Sequence, residues 1–184
     1  EKRLYAAAPE PAQPQVPGGD FLEALAAGTA TPGGGSAAAY AGAAGAALVA
    51  MVAHLTIGKK KYADVEAQMQ IALAQAESLR AELSAGVQQD SAAYEQVMAA
   101  FKLPKETPEQ QSVHNQAIQA ATLVASQVPL QTARNAVQVM ELAAQVVRLG
   151  NVNALSDGGA AAALGRAALT GAALNVRINA RSLE

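Results

Sequence analysis

Apolar positions recur at steps of three and four along most of this chain, and nowhere do they keep up the alternation a strand requires. The clearest run is Val65, Met69, Ala72, Ala76, Leu79, Leu83, Gly86, Asp90, Tyr94, Val97 and Phe101. It is a single helical seam and predicts a long helix over 63–101, stopped by Pro104. Asp20 is suited to cap a short helix over 21–27. Ser36 opens a second, almost wholly apolar helix that Gly58 ends. Lys59, Lys60 and Lys61 follow where the negative end of its dipole favours cations. Thr107, Pro108, Glu109 and Gln110 have the form of a capping box with proline at the first helical position, so a helix is expected from there to about Ser126. Pro129 marks a break or kink, residues 130–149 are helical again, and Gly150 ends them. After a loop over 151–155, Ser156 or Asp157 can cap a last helix over 158–181. The expected fold is all-α, an up-and-down-like helical bundle with long central helices.

Composition sharpens this picture in a few places. At 184 residues the chain can bury one sizeable core, placed here at residues 20–184. Residues 6–19 read as a Pro/Ala/Gln linker and residues 1–5 as the tail of a preceding segment. Tryptophan and cysteine are absent and alanine dominates, which implies helices that pack backbone to backbone. Without cysteine there is no disulfide, thiolate nucleophile or sulfur-built zinc site, and His54 and His114 stand too far apart in sequence to pair on a metal. No metal is expected. The net charge of −2 gives no reason to invoke nucleic acid or an anionic membrane surface. Residues 36–57 carry no formal charge and are long enough to span a bilayer. Their alanine and glycine contribute little transfer energy, so a buried helix is expected instead. Residues 1–20 lack the basic and apolar blocks of a secretory signal, and a cytoplasmic protein is expected.

Polar residues interrupt the apolar pattern at a handful of points. Gly33, Gly34, Gly35 and Ser36 meet the start of the apolar helix, where unpaired N–H groups can receive a carboxylate or an oxyanion. A tight corner between two helices explains the glycines equally well, and no Gly-Lys-Ser/Thr closes the run as a phosphate loop would. Asp90 falls within the apolar seam, one turn before Tyr94, so its carboxylate must be paired, hydrogen-bonded or protonated. The stretch from Gly150 to Gly159 collects Asn151, Asn153 and Asp157, the last at a helix start that favours negative charge. Asn175 and Asn179 share one face of the last helix, as readers of a ligand or as glue between helices. Lys59, Lys60 and Lys61 form either a solvated basic turn or a clamp for a carboxylate.

Taken together, several segments resemble the cyclodeaminase/cyclohydrolase family of folate enzymes, which includes the C-terminal domain of formimidoyltransferase-cyclodeaminase and free-standing bacterial methenyltetrahydrofolate cyclohydrolases. They are Phe21-Leu-Glu-Ala-Leu-Ala, Thr31-Pro-Gly-Gly-Gly-Ser-Ala-Ala-Ala, Ala47-Leu-Val-Ala-Met-Val-Ala and Leu55-Thr-Ile-Gly-Lys-Lys-Lys-Tyr. Further on come Asp90 to Tyr94, Leu103-Pro-Lys, Val128-Pro-Leu, Gly150-Asn-Val-Asn, Ser156-Asp and Asn175-Val-Arg-Ile-Asn. His54 departs from the polar residue more usual there.

The resemblance implies a dimerising helical bundle with no metal, no nucleotide and no cofactor beyond its tetrahydrofolate substrate. The implied reactions are closure of 5-formiminotetrahydrofolate to 5,10-methenyltetrahydrofolate with loss of ammonia, or hydrolysis of the methenyl bridge to 10-formyltetrahydrofolate. Each needs a proton moved by a positioned group, a role expected for Asp157 and Asp90. Lys59, Lys60 and Lys61 are expected to hold a folate tail, polyglutamylated or not. Gly33, Gly34, Gly35 and Ser36 would offer donors, and Tyr94, Asn151, Asn153, Asn175 and Asn179 would contact the pterin or hold the carboxylates. The linker-like start favours the cyclodeaminase, with a formiminotransferase domain fused ahead or as a partner. A helical dimerisation module without catalysis is the remaining alternative.

Overall fold

The computed structural model describes residues 19–183. The expected linker and tail lie outside them, apart from Gly19. Five α-helices are described: α1 (Gly19–Ala26), α2 (Gly34–His54), α3 (Glu66–Phe101), α4 (Pro108–Leu149) and α5 (Leu155–Ala180), with short 3-10 turns over Lys60–Val65 and Val152–Ala154. No strand occurs among the described residues.

Four of these helices form an up-down-up-down bundle. Gly35 lies against Asp90 and Gly42 against Leu83, so α2 and α3 run antiparallel. Asn135 meets Glu82 across α3 and α4, and Gly165 meets Met140 across α4 and α5. Small residues make the approach of α2 to its neighbours possible. A Cβ on Gly42 would stand 3.1 Å from a Leu83 methyl, and one on Gly45 would stand 3.1 Å from the Ala161 carbonyl oxygen. Helix α2 is long and apolar enough by length and composition to cross a membrane, and most of it is buried inside the bundle. The core around it is Val49, Val52, Met69, Leu79, Leu83, Val139, Leu142 and Val146, spaced by alanines.

Several boundaries differ from the sequence-based expectation: α1 begins at Gly19, α3 at Glu66 and α5 at Leu155, so Asp20, Ser156 and Asp157 lie inside helices rather than capping them. Helix α2 begins at Gly34 and ends at His54, before a turn that reaches Gly58, whose φ of +75° is the left-handed conformation open to glycine. The largest difference is at Pro129, which does not separate two helices but sits buried inside the continuous α4. A proline cannot donate to the carbonyl four residues earlier, here that of Ala125. The Asn179 side chain replaces the missing donor, its Nδ2 reaching the Ala125 oxygen at 2.7 Å. The predicted capping box at the start of α4 is present, with Thr107 accepting from the Gln110 N–H and the Gln110 side chain accepting from the Thr107 N–H. The Glu109 carboxyl is held below its usual range by its own backbone N–H and by the Thr107 hydroxyl.

The patch at Pro129 makes a stability prediction. Asn179→Ala should cost about 1–3 kcal/mol in urea unfolding, the typical effect of orphaning a buried carbonyl. In a Pro129→Ala background the restored N–H should absorb much of that loss. Equal losses in both backgrounds would contradict the assignment.

Candidate active site

The pocket follows from unequal helix lengths. At the end of the bundle where α2 begins, α3, α4 and α5 continue past it, so the place of the fourth helix is empty. The first turn of α2 forms the floor, and the N–H groups of such a turn have no acceptor within the helix. The walls are Asp90, Tyr94, Val97 and Phe101 from α3, Thr122 and Ala125 from α4, and Asn175, Ile178, Asn179 and Ser182 at the end of α5. Ala30, Thr31 and the three glycines 33–35 complete the lining of a cavity of about 390 Å³. That volume suits a small organic ligand.

The Asp90 carboxylate is its sharpest feature. It rests on Gly35, where a Cβ would come within 2.6 Å of the Asp90 carboxyl carbon and overlap Oδ1. The Ser36 hydroxyl donates to Asp90 Oδ2 at 2.9 Å and lies 3.3 Å from the Ser91 hydroxyl. A negative group on the N-terminal turn of a helix is favourably placed against the dipole. Asn175 stands beside it: its Nδ2 donates to the Gly171 carbonyl and would contact a Cβ at Gly34. Among the described residues Asp90 is the only carboxylate lining the pocket, and Tyr94 the only other titratable side chain.

The expected site residues therefore fall into two groups. Gly33, Gly34, Gly35, Ser36, Asp90, Tyr94, Asn175 and Asn179 meet at this end. Lys59, Lys60, Lys61, Asn151, Asn153 and Asp157 lie at the other, beyond the C-terminus of α2. The intervening helix of 21 residues spans about 30 Å at 1.5 Å per residue. A small ligand seated in this pocket does not reach the second group within one protomer.

The second group has a structural task of its own. Asn151 caps the end of α2: its Nδ2 donates to the Leu55 carbonyl and its N–H to the buried Thr56 hydroxyl, each at 2.9 Å. The Tyr62 hydroxyl accepts from the Val152 N–H and donates to Asn151 Oδ1. The lysines and Asn153 are exposed, and Asp157 is half-buried in the first turn of α5. His54 is exposed, and His114 is buried with Nδ1 3.0 Å from the Leu103 carbonyl, where it holds the α3–α4 turn. Sequence reasoning missed Phe101 and Ile178 as pocket residues. Phe101 was visible as the last member of the α3 seam, and Ile178 as an apolar neighbour of Asn179.

A comparable groove of about 430 Å³ runs between α3 and α4, lined by Gln75, Glu82, Gln138, Glu141 and Arg148 among others. It lies along helix flanks, with no helix terminus and no aromatic ring to orient a ligand. Among the described residues no cluster of His, Asp or Glu is placed to hold a metal ion.

Known proteins share both the sequence and this architecture. The profile of the formiminotransferase-cyclodeaminase family matches residues 17–184. A methenyltetrahydrofolate cyclohydrolase of Methylorubrum extorquens is 46% identical over 164 residues, covering 89% of this chain and 79% of that one. The formimidoyltransferase-cyclodeaminase of Rattus norvegicus is 33% identical over 163 residues, which span 30% of its length. Among solved structures, a formiminotetrahydrofolate cyclodeaminase of Thermotoga maritima superposes with a TM-score of 0.80 at 31% identity, covering 90% of this chain and 79% of that one. With a family match over nearly all its length and a cyclohydrolase relative covered over most of its own, the chain belongs to the formiminotransferase-cyclodeaminase family.

Proposed function

We propose that this protein is an enzyme of tetrahydrofolate one-carbon chemistry that acts on the carbon bridging N5 and N10. The observation that carries the proposal is the carboxylate of Asp90, fixed on the first turn of α2 in a pocket otherwise lined by amides, hydroxyls and apolar groups. In hydrolysis of the methenyl bridge, water adds to the cationic carbon, loses a proton, and the tetrahedral adduct breaks its bond to N5 as that nitrogen gains a proton. In cyclodeamination, N10 adds to the formimino carbon and ammonia leaves after protonation. Both reactions need one group that takes a proton from the attacking atom and gives one to the leaving nitrogen. Asp90 is that group here, and its charge also complements the cationic methenyl carbon.

The greater identity to a cyclohydrolase, over most of both chains, favours hydrolysis. The solved cyclodeaminase neighbour and the rat relative support the deaminase as the second reading. A cytoplasmic homodimer that needs no cofactor beyond its folate substrate completes the proposal, with a polyglutamylated tail on that substrate. A transferase domain fused ahead of the chain belongs to the second reading, in line with the two activities joined in the rat relative's name.

Absorbance at the methenyl band separates the reactions: loss faster than the spontaneous rate marks the hydrolase, and a rise with ammonia release from the formimino substrate marks the deaminase. The absence of both changes would overturn the proposal. Asp90→Asn should lower kcat by about 10²–10⁴-fold, the usual contribution of a general acid–base, and Asp157→Asn should keep turnover within a few-fold. The reverse pattern would move the chemistry to the other end of α2. Gly35→Ala should leave the folded structure intact, since it displaces only a side chain, yet lose most of the turnover. Retained turnover would show that the seat of Asp90 does not matter.

A further inference from the structure

The pocket has a polar floor and an apolar rim, and this polarity fixes which way a folate enters. Asp90, Tyr94, Val97 and Phe101 follow one another up a single face of α3. From the floor at Asp90 to the rim at Phe101 the helix rises about 16 Å, at 1.5 Å per residue. Described aromatic rings elsewhere have other partners: Phe21 stacks on Tyr40, and Tyr62 bonds the 151–153 loop. Tyr94 and Phe101 have no ring partner among the described residues, line the cavity, and are 40% and 53% exposed. Rings left open on one wall of a cavity that is otherwise satisfied are a platform for another flat ring.

We propose that Tyr94 and Phe101 are the stacking wall of the folate site, with the pterin towards the floor, the aminobenzoyl ring against Phe101, and the anionic tail leaving across the rim. This deepens the proposed function and rests on it. The direction of exit is set by charge. Lys102 follows Phe101 directly, Arg181 precedes the lining residue Ser182, and both are exposed. The rim is thus flanked by cations, while the floor holds the only carboxylate of the described lining, which would repel a glutamate tail. Lys59, Lys60 and Lys61, some 30 Å away along α2 by its rise per residue, are not needed to hold it within one protomer.

The absence of tryptophan gives a direct test. In Phe101→Trp, 5-formyltetrahydrofolate, a stable N5-substituted folate, should quench the single tryptophan emission in a saturable way. Phe101→Ala should raise KM for the methenyl or formimino substrate about tenfold or more with kcat largely kept, as loss of a ring stack predicts. In Lys102→Gln/Arg181→Gln, the affinity for the triglutamyl form should fall more than that for a folate lacking glutamate, and Lys59→Gln/Lys60→Gln/Lys61→Gln should not change this ratio. If the unaltered protein binds 5-formyltetrahydrofolate by calorimetry but the tryptophan emission and the KM do not move, the stacking wall is overturned while the folate reading stands. If the unaltered protein binds no folate, both fall.

Discussion

A carboxylate seated on the first turn of a helix is the arrangement from which the rest of this structure can be understood. Asp90 occupies the space that a side chain at Gly35 would fill, and the Ser36 hydroxyl fixes its orientation. The seat needs a helix start with no Cβ at one position, a neighbouring helix that continues past it, and a short polar side chain to hold the carboxylate. The sequence meets these needs with the glycines at 33–35, the long α3 and Ser36. The negative carboxylate meets the positive end of the helix dipole, so it is held in place rather than merely tolerated.

The cavity above that seat comes from the same economy of small residues. Alanine and glycine let α2 pack closely between α3 and α5, as at Gly42 and Gly45. Because α2 is shorter than its neighbours, the upper ends of α3, α4 and α5 surround a vacancy that the helix would otherwise occupy. Proline inside α4 would weaken one wall at that level. Asn179 repairs it from α5 by serving the carbonyl that Pro129 leaves unpaired, and so ties two walls of the pocket together. At the opposite end Asn151 and Tyr62 do comparable work, closing the C-terminus of α2 against the start of α5.

The helices were readable because their signals are local: a seam of period 3.6, a capping box, glycines and prolines at ends. Pro129 was misleading because its cost is met by a residue fifty-four positions from the carbonyl it leaves unpaired, that of Ala125, which no local pattern reveals. The α3 seam was legible as a stripe, yet its meaning changes along its length. Met69 to Gly86 face the core, and from Asp90 onward the same stripe faces a cavity, because α2 has ended. The polar motifs were all visible as anomalies, but sequence could not say that they gather at two ends of one helix. That division depends on which helix ends where, a property of the assembled bundle.

The central claim is that the substrate sits on the first turn of α2. Backbone amide shifts in a nitrogen-15 spectrum, recorded with and without 5-formyltetrahydrofolate, test it most directly. The account predicts that Gly34, Gly35 and Ser36 shift most, together with the side-chain amide of Asn175. Unmoved resonances there, with shifts confined to Gly58, Lys59 and the Asn151–Asn153 loop, would place the site at the other end of the bundle and contradict it.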